Sequence, residues 1–157
     1  MYLFPPNSQW QVDFEIEKNA LELNFLGEIE IFHVGSTAVK GLWAKDCIDL
    51  LGVVKELSKV QILSLNFGNL GYIYKGEYGI QGRAYFTKQY RKAHLHIFQQ
   101  GDENIEKHLK FVNLMRDNSD LISEFNTLKQ ELHTRYPKDK ASYQNAKAFF
   151  YNRINNL

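Results

Sequence analysis

The residues most able to do chemistry in this chain are Gly35-Ser36-Thr37, which directly follow an apolar stretch ending at Phe32-His33-Val34, and Asp49, set inside the next apolar run. A glycine at the end of a strand lets the backbone turn sharply and leaves amide N–H groups facing an anion. Ser36 and Thr37 add hydroxyl donors, so the turn can hold phosphates without a Walker motif, which the chain lacks. A lone carboxylate such as Asp49 is costly in an apolar strand unless a metal or a cation meets it. Phosphoryl and nucleotidyl transfer need such a carboxylate to hold Mg²⁺, which neutralises the phosphates and helps activate the attacking hydroxyl. The plainer alternative is a structural turn and a salt-bridge partner.

Several charged residues share helical faces with apolar ones. Glu17 falls on the side of Trp10, Phe14 and Leu21. Arg116 falls with Ile105, Leu109 and Val112, and Lys147 with Tyr143, Phe150 and Ile154. Charge facing a core needs a reason. A common polar cleft would supply one, with Arg116 and Lys147 turned to phosphates and Glu17 to a metal or a proton. Snorkelling or simple ion pairing is the alternative. His94 and His96 alternate along a strand and so point to one face, with Arg83 on the neighbouring predicted strand. A histidine there suits general-base work on an acceptor hydroxyl or replacement of a metal-binding acid. A zinc site finds no support in a Cys pair or an HExxH motif. Lys88, Tyr90, Arg91 and Lys92 read as a solvated hairpin tip rather than a nucleic-acid stripe.

The elements that must position these groups follow from periodicity and punctuation. Ser8 is placed to cap a helix running to about Leu26, ended by Gly27. Ile29 to Val34 and Cys47 to Val54 read as buried strands, the second central in its sheet. Glu56 to Leu70 is expected to be helical. Tyr72 to Tyr74, Arg83 to Thr87 and His94 to Gln99 read as strands, the last two joined by a turn at Tyr90-Arg91-Lys92. Helices are expected near 103–116, 120–135 and 139–155, capped by Asp102, Ser119 and Asp139. This order predicts a single α+β domain, a mixed β-sheet with flanking helices and a helical C-terminal third.

Bulk properties narrow the function. A chain of 157 residues with 44% hydrophobic residues makes one ordinary domain with ample core. A net charge of +1 implies no strong pull toward nucleic acid or membrane. Cys47 is the single cysteine, so there is no intrachain disulfide, which suits a reducing compartment. With no signal-like start and no spanning apolar run, a cytoplasmic monomer or small oligomer is expected.

The stretch His33-Val34-Gly35-Ser36-Thr37-Ala38-Val39, with Gly41-Leu42, Ala44-Lys45 and Ile48-Asp49, resembles the GrpB family, which is placed in the nucleotidyltransferase superfamily. Supporting likenesses run along nearly the whole chain: Trp10, Phe14, Glu17 and Leu21, then Leu70-Gly71-Tyr72, Arg83, Phe86 and His94-Leu95-His96. Further on come His108-Leu109, Phe111 and Arg116, and finally Tyr143, Lys147 and Phe150. The chain departs from the family where prolines give way to Lys40 and Asp46, and where Val112 and Asn113 replace Arg and Asp. Superfamily transferases carry two acids separated by one residue on this strand, whereas here the second position is Leu51. Asp46 sits an odd number of positions from Asp49, so in a regular strand the two would face apart.

The resemblance implies a nucleotidyltransferase-like fold and a Mg²⁺-dependent transfer from a nucleoside triphosphate to an unknown acceptor. Gly35, Ser36 and Thr37 would then bind phosphate, with Lys45, Arg83, Arg116 and Lys147 neutralising it. Asp49 would hold Mg²⁺, and His96 or Glu17 would assist proton transfer. A non-catalytic module binding a nucleotide or phosphorylated ligand in the same cleft is the second expectation, and Leu51 favours it.

Overall fold

The computed structural model describes residues 2–157. Helix α1 (Gln9–Asn24) is followed by strands β1 (Glu30–Val34) and β2 (Ile48–Val54) and a short helix α2 (Val60–Leu63). Strands β3 (Tyr72–Tyr74), β4 (Arg83–Lys88) and β5 (Ala93–Gln99) come next. Helices α3 (Glu103–Arg116), α4 (Ser119–Arg135) and α5 (Lys140–Asn155) close the chain. The five strands form one sheet in the order β1-β2-β5-β4-β3. Only β2 and β5 run parallel, with Asp49 opposite His94 and Leu51 opposite His96. The sheet is therefore mixed, as expected. Among the described residues no helix is long and apolar enough to cross a membrane.

Side-chain alternation splits the molecule into two layers of packing. Ile48, Leu50, Leu95 and Ile97 point to one face and pack under Trp10, Phe14 and Leu21 of α1, with Phe67 and Val60. Val34, Leu51 and Phe98 point to the other and pack under Phe111, Phe125 and Phe150 of the last three helices. Gly52 lets the strands sit close, since a Cβ there would lie 3.0 Å from Ile97 and 3.1 Å from Ile29.

Three expectations change. Residues 56–70 form a broken series rather than one helix: 3-10 turns at Leu57–Lys59 and Leu65–Leu70 flank the single turn of α2. Ser58, Ser64, Asn66 and Asn69 compete for backbone hydrogen bonds and Gly68 adds backbone freedom, so the segment bends to bury Val60 and Phe67. The cap of α4 is Asn118, whose side chain accepts from the Leu121 amide, rather than Ser119. Ser8 makes no side-chain cap, and the Asn7 carboxamide takes that part by accepting from the Gln9 amide at 2.9 Å. Asp102 and Asp139 cap α3 and α5 as expected.

Candidate functional site

The turn after β1 is built for close approach. Gly35 has φ +74°, a conformation that a side chain disfavours, and a Cβ there would sit 2.9 Å from Asp49 Oδ2. Ser36–Ala38 then forms a 3-10 turn. Its far side is pinned by His33, whose Nε2 meets Thr37 Oγ1 at 3.0 Å and whose Nδ1 meets Gln11 Oε1 at 3.1 Å. The His33 ring stacks on Phe14 with centroids 4.6 Å apart. Burial lowers His33 to about 4, so it is a neutral strut. Thr37 is thus held inward by His33, which differs from the expectation that it offers a free donor to phosphate.

On the side facing the C-terminal helices, Ser36 meets an ammonium. Lys129 Nζ donates to Ser36 Oγ at 2.7 Å and to the Trp43 carbonyl at 2.6 Å, and lies 4.2 Å from the centroid of the Phe125 ring. Only 1% of Lys129 is exposed. Among the described residues no carboxylate lies within ion-pairing distance of Lys129, Lys147 or Lys45. Burial, and then the charge of Lys147 and Lys45, holds Lys129 well below the usual lysine range. Burial, with Lys45 beside it, lowers Lys147 to about 8. A cavity of about 190 Å³ opens here, lined by Ser36, Lys45, Asp49, Lys129, Lys147 and Tyr151. Burial raises the Tyr151 hydroxyl to about 12 against a hydrogen bond with Ser36.

Asp49 stands at the rim, shared with a second cavity of about 370 Å³ that is also lined by Asn104, Phe111, Tyr151 and Asn155. Asp49 Oδ1 meets His96 Nε2 at 3.0 Å and His94 Nδ1 at 3.6 Å. Burial would raise this carboxyl, but the imidazoles of His94 and His96 outweigh it and hold Asp49 well below the usual carboxylate range. Oδ2 faces the Gly35 turn. Asp49, with the Cys47 thiol as the second influence, raises His94 to about 9, so His94 is a cation at neutral pH.

The structure thus brings together Gly35, Ser36, Lys45, Asp49 and Lys147 with Thr37 and His96 beside them, and it gives Thr37, His96, Arg83, Glu17 and Arg116 partners within the protein. His96 is engaged at both nitrogens: Arg83 Nη1 lies 3.0 Å from Nδ1 and can only donate, so Nε2 carries the proton given to Asp49. His96 therefore has no free nitrogen for a substrate proton, contrary to its expected role, and it orients Asp49 instead. Arg83 also donates to the backbone carbonyls of Glu77 and Tyr78 and lies over the Tyr85 ring, so it supports the loop between β3 and β4 rather than a phosphate. Glu17 lies on the other face of the sheet, bonded to Tyr72 at 2.7 Å and to Lys88 at 2.9 Å, an ion pair in place of the expected metal or proton contact. Arg116 donates both Nε and Nη2 to the Ala38 carbonyl, which makes it a brace for the turn. Lys129 was not expected, although its spacing from Phe125 and Leu132 places it on an apolar helical face by the same rule that picks out Lys147.

No cluster of three or more His, Cys, Asp or Glu able to hold a metal occurs among the described residues. Leu51, at the position of a second strand acid, is fully buried among apolar side chains.

Comparison with known proteins bears on family and fold. The family model described as GrpB protein matches residues 1–156. The Glutamate-rich protein GrpB of Alkalihalophilus pseudofirmus is 32% identical over 163 aligned positions, covering 96% of this chain and 91% of that protein. The UPF0157 protein YqkA of Bacillus subtilis is 36% identical over 140 positions, covering 87% of this chain, which spans only 41% of that protein. The crystal structure of conserved protein GrpB from Enterococcus faecalis superposes with a TM-score of 0.88 at 34% identity, covering 98% of this chain and 94% of that one. Cid1 in complex with the UTP analog UMPNPP superposes with a TM-score of 0.59 at 9% identity, over 90% of this chain and 48% of Cid1. At that identity the likeness shows a shared nucleotidyltransferase-like fold alone.

Proposed function

The chain belongs to the GrpB protein family, and on that premise we propose that it binds a nucleoside triphosphate by its phosphates at the Gly35-Ser36 turn. The observation that carries this reading is the set of Lys45, Lys129 and Lys147 around Ser36, three cations with Asp49 as the single acid lining their cavity and no carboxylate within ion-pairing distance of any of them. A buried cation without a counter-charge is costly, and a polyphosphate supplies the missing charge. Ser36 Oγ and the turn amides add donors. Phosphate binding would raise Lys147 and Lys129 back toward their ordinary range. The adjoining cavity with Phe111, Tyr151, Asn104 and Asn155 suits a nucleoside, offering two rings for stacking and two carboxamides for hydrogen bonds.

The donor set fits one Mg²⁺ arriving with the triphosphate and does not fit a protein-built pair. Asp49 stays ionised, and its Oδ2 accepts no hydrogen bond among the described residues while facing the turn. A second strand carboxylate is absent at Leu51. Mg²⁺ commonly rests on one or two carboxylates plus substrate phosphates. Bound in that way, it would neutralise phosphate charge. A carboxylate held this acidic is a weak base, so Asp49 holds charge rather than moving a proton.

Calorimetric titration of the protein with ATP, GTP, CTP and UTP at millimolar Mg²⁺ tests the reading. At least one nucleotide binds, and Ser36→Ala or Lys147→Met weakens it tenfold or more. Absence of heat with every nucleotide overturns it. Nucleotidyl transfer is the second reading, favoured by the position of Asp49 at the rim between the two cavities. An acceptor hydroxyl would attack the α-phosphorus, pyrophosphate would leave, and the hydroxyl proton would pass to solvent. Label from an α-labelled triphosphate appearing on an acceptor would establish it.

A further inference from the structure

Lys45 and Cys47 line a third cavity, of about 450 Å³, which shares these two residues with the phosphate cavity and none with the cavity proposed for the nucleoside. Its walls come from the N-terminal segment, the β4–β5 hairpin and the start of α5, and they carry Lys45, Lys92, Lys140 and His94. Among the described residues no carboxylate lies within 4 Å of Lys45, Lys92 or Lys140. Asp46 also lines the cavity, but it is committed elsewhere: its Oδ1 accepts from Trp10 Nε1 at 3.0 Å and lies 3.5 Å from Arg91 Nη1. Arg91, which lines the cavity as well, is paired through Nε, 2.7 Å from Asp13, while its Nη2 is buried without a hydrogen-bond partner. His94 is the one member with a local carboxylate, Asp49, at 3.6 Å. The whole chain has 19 basic and 18 acidic residues, so an uncompensated group of this kind is a local accumulation and not a consequence of a basic protein.

We propose that this cavity binds a second anionic ligand, a small phosphomonoester, alongside the nucleotide. Its phosphate would lie among Lys45, Lys92 and Lys140, with the His94 ring on the side of Asp49. The shared Lys45 places the two anions in neighbouring cavities, so the ligand has the position of an acceptor whose own phosphate anchors it. That role rests on the proposed nucleotide site, whereas binding at this cavity does not. The limited volume and near-neutral chain favour a small molecule over a nucleic acid, which would need a long basic track for its backbone.

The test is equilibrium dialysis with radiolabelled glycerol 3-phosphate and, in parallel, inorganic phosphate. It uses the wild-type protein with and without saturating Mg²⁺-ATP, together with Lys92→Gln/Lys140→Gln and Ser36→Ala/Lys147→Met. The wild type retains one phosphomonoester site in the presence of ATP. Lys92→Gln/Lys140→Gln loses it by tenfold or more while keeping circular dichroism and ATP affinity. Ser36→Ala/Lys147→Met keeps it after losing ATP, which separates failure here from failure of the nucleotide site. Retention of no phosphomonoester, or equal retention by Lys92→Gln/Lys140→Gln, overturns the proposal. Tighter binding of a single-stranded oligonucleotide than of glycerol 3-phosphate, with a steep salt dependence, also overturns it in favour of nucleic acid.

Discussion

The two faces of the sheet treat buried charge in opposite ways. Under α1, Glu17 is matched by Lys88 and Tyr72, and neutral His33 by Gln11 and Thr37. Every one of these groups is complete without a ligand. Under the C-terminal helices, Lys129 and Lys147 are buried with no carboxylate partner, and Asp49 leaves one oxygen facing the glycine turn. The first face is finished by folding, whereas the second keeps cations that, in the proposed function, an anion would complete. The same kind of sequence signal, a charged residue on an apolar helical face, therefore leads to an ion pair at Glu17 and to a lysine without a carboxylate partner at Lys147.

Substitutions that exchange these outcomes break the contrast. The largest expected effect is on the closed face. Glu17→Leu leaves Lys88 buried and unpaired and destabilises the fold by about 3–5 kcal/mol. Glu17→Leu combined with Lys88→Met recovers most of that loss, and urea denaturation midpoints measure both. Nucleotide affinity of the double variant stays at the wild-type value. An affinity loss there would mean that Glu17 serves the site after all.

Gly35→Ala comes next. Its new Cβ meets Asp49 Oδ2 in a positive-φ conformation, which costs about 1–3 kcal/mol in strain. Nucleotide binding falls by a hundredfold or more in titration, because the turn must move. Lys129→Met follows, and its two effects have opposite signs. Removing an uncompensated buried ammonium leaves the midpoint unchanged or raises it, since apolar replacement of a buried charge is often neutral to stabilising by about 1–4 kcal/mol. The same change weakens nucleotide binding about tenfold. Loss of stability with unchanged binding would place Lys129 among the structural groups of the closed face.

The smallest effect is on pH dependence. The Asp49 carboxylate raises His94 to about 9, so its stabilisation is full below pH 6.5 and is lost as pH rises through 9. Lys147, lowered to about 8 by burial, acts in the opposite direction, because the unfolded chain binds more protons between pH 8 and 10.5. From these two groups, stability of the ligand-free protein falls from pH 6.5 to 8, levels between 8 and 9 where they offset, and rises from 9 toward 10.5. His94→Gln removes the fall, as denaturation midpoints across this range would show.

Much of this organisation is legible in the sequence where local rules govern it. The strands, the turn at Gly35-Ser36, the isolated carboxylate of Asp49 and the inward placement of Glu17 and Lys147 all follow from period and punctuation, whereas Arg116, expected to turn inward, is exposed and reaches back to the Ala38 carbonyl. What periodicity leaves open is the partner each inward group meets, since that depends on contacts between distant segments. Glu17 and Lys88 are 71 positions apart, and Lys129 and Ser36 are 93 apart. His96 illustrates the same limit: alternation places it on the correct face beside Asp49, but only the Arg83 contact reveals that both ring nitrogens are used. The helix expected over residues 56–70 fails for a different reason, because weak local helix formers yield to the burial of Val60 and Phe67.

The central claim is that the cationic face is completed by the phosphates of a nucleotide. Calorimetric titration of Mg²⁺-bound nucleoside triphosphate into the wild type and into Lys129→Met/Lys147→Met tests it most directly. The account predicts saturable one-to-one binding in the wild type and at least a hundredfold weaker binding in the folded double variant. Equal affinity in the two proteins, or no binding to the wild type at millimolar nucleotide, would contradict it.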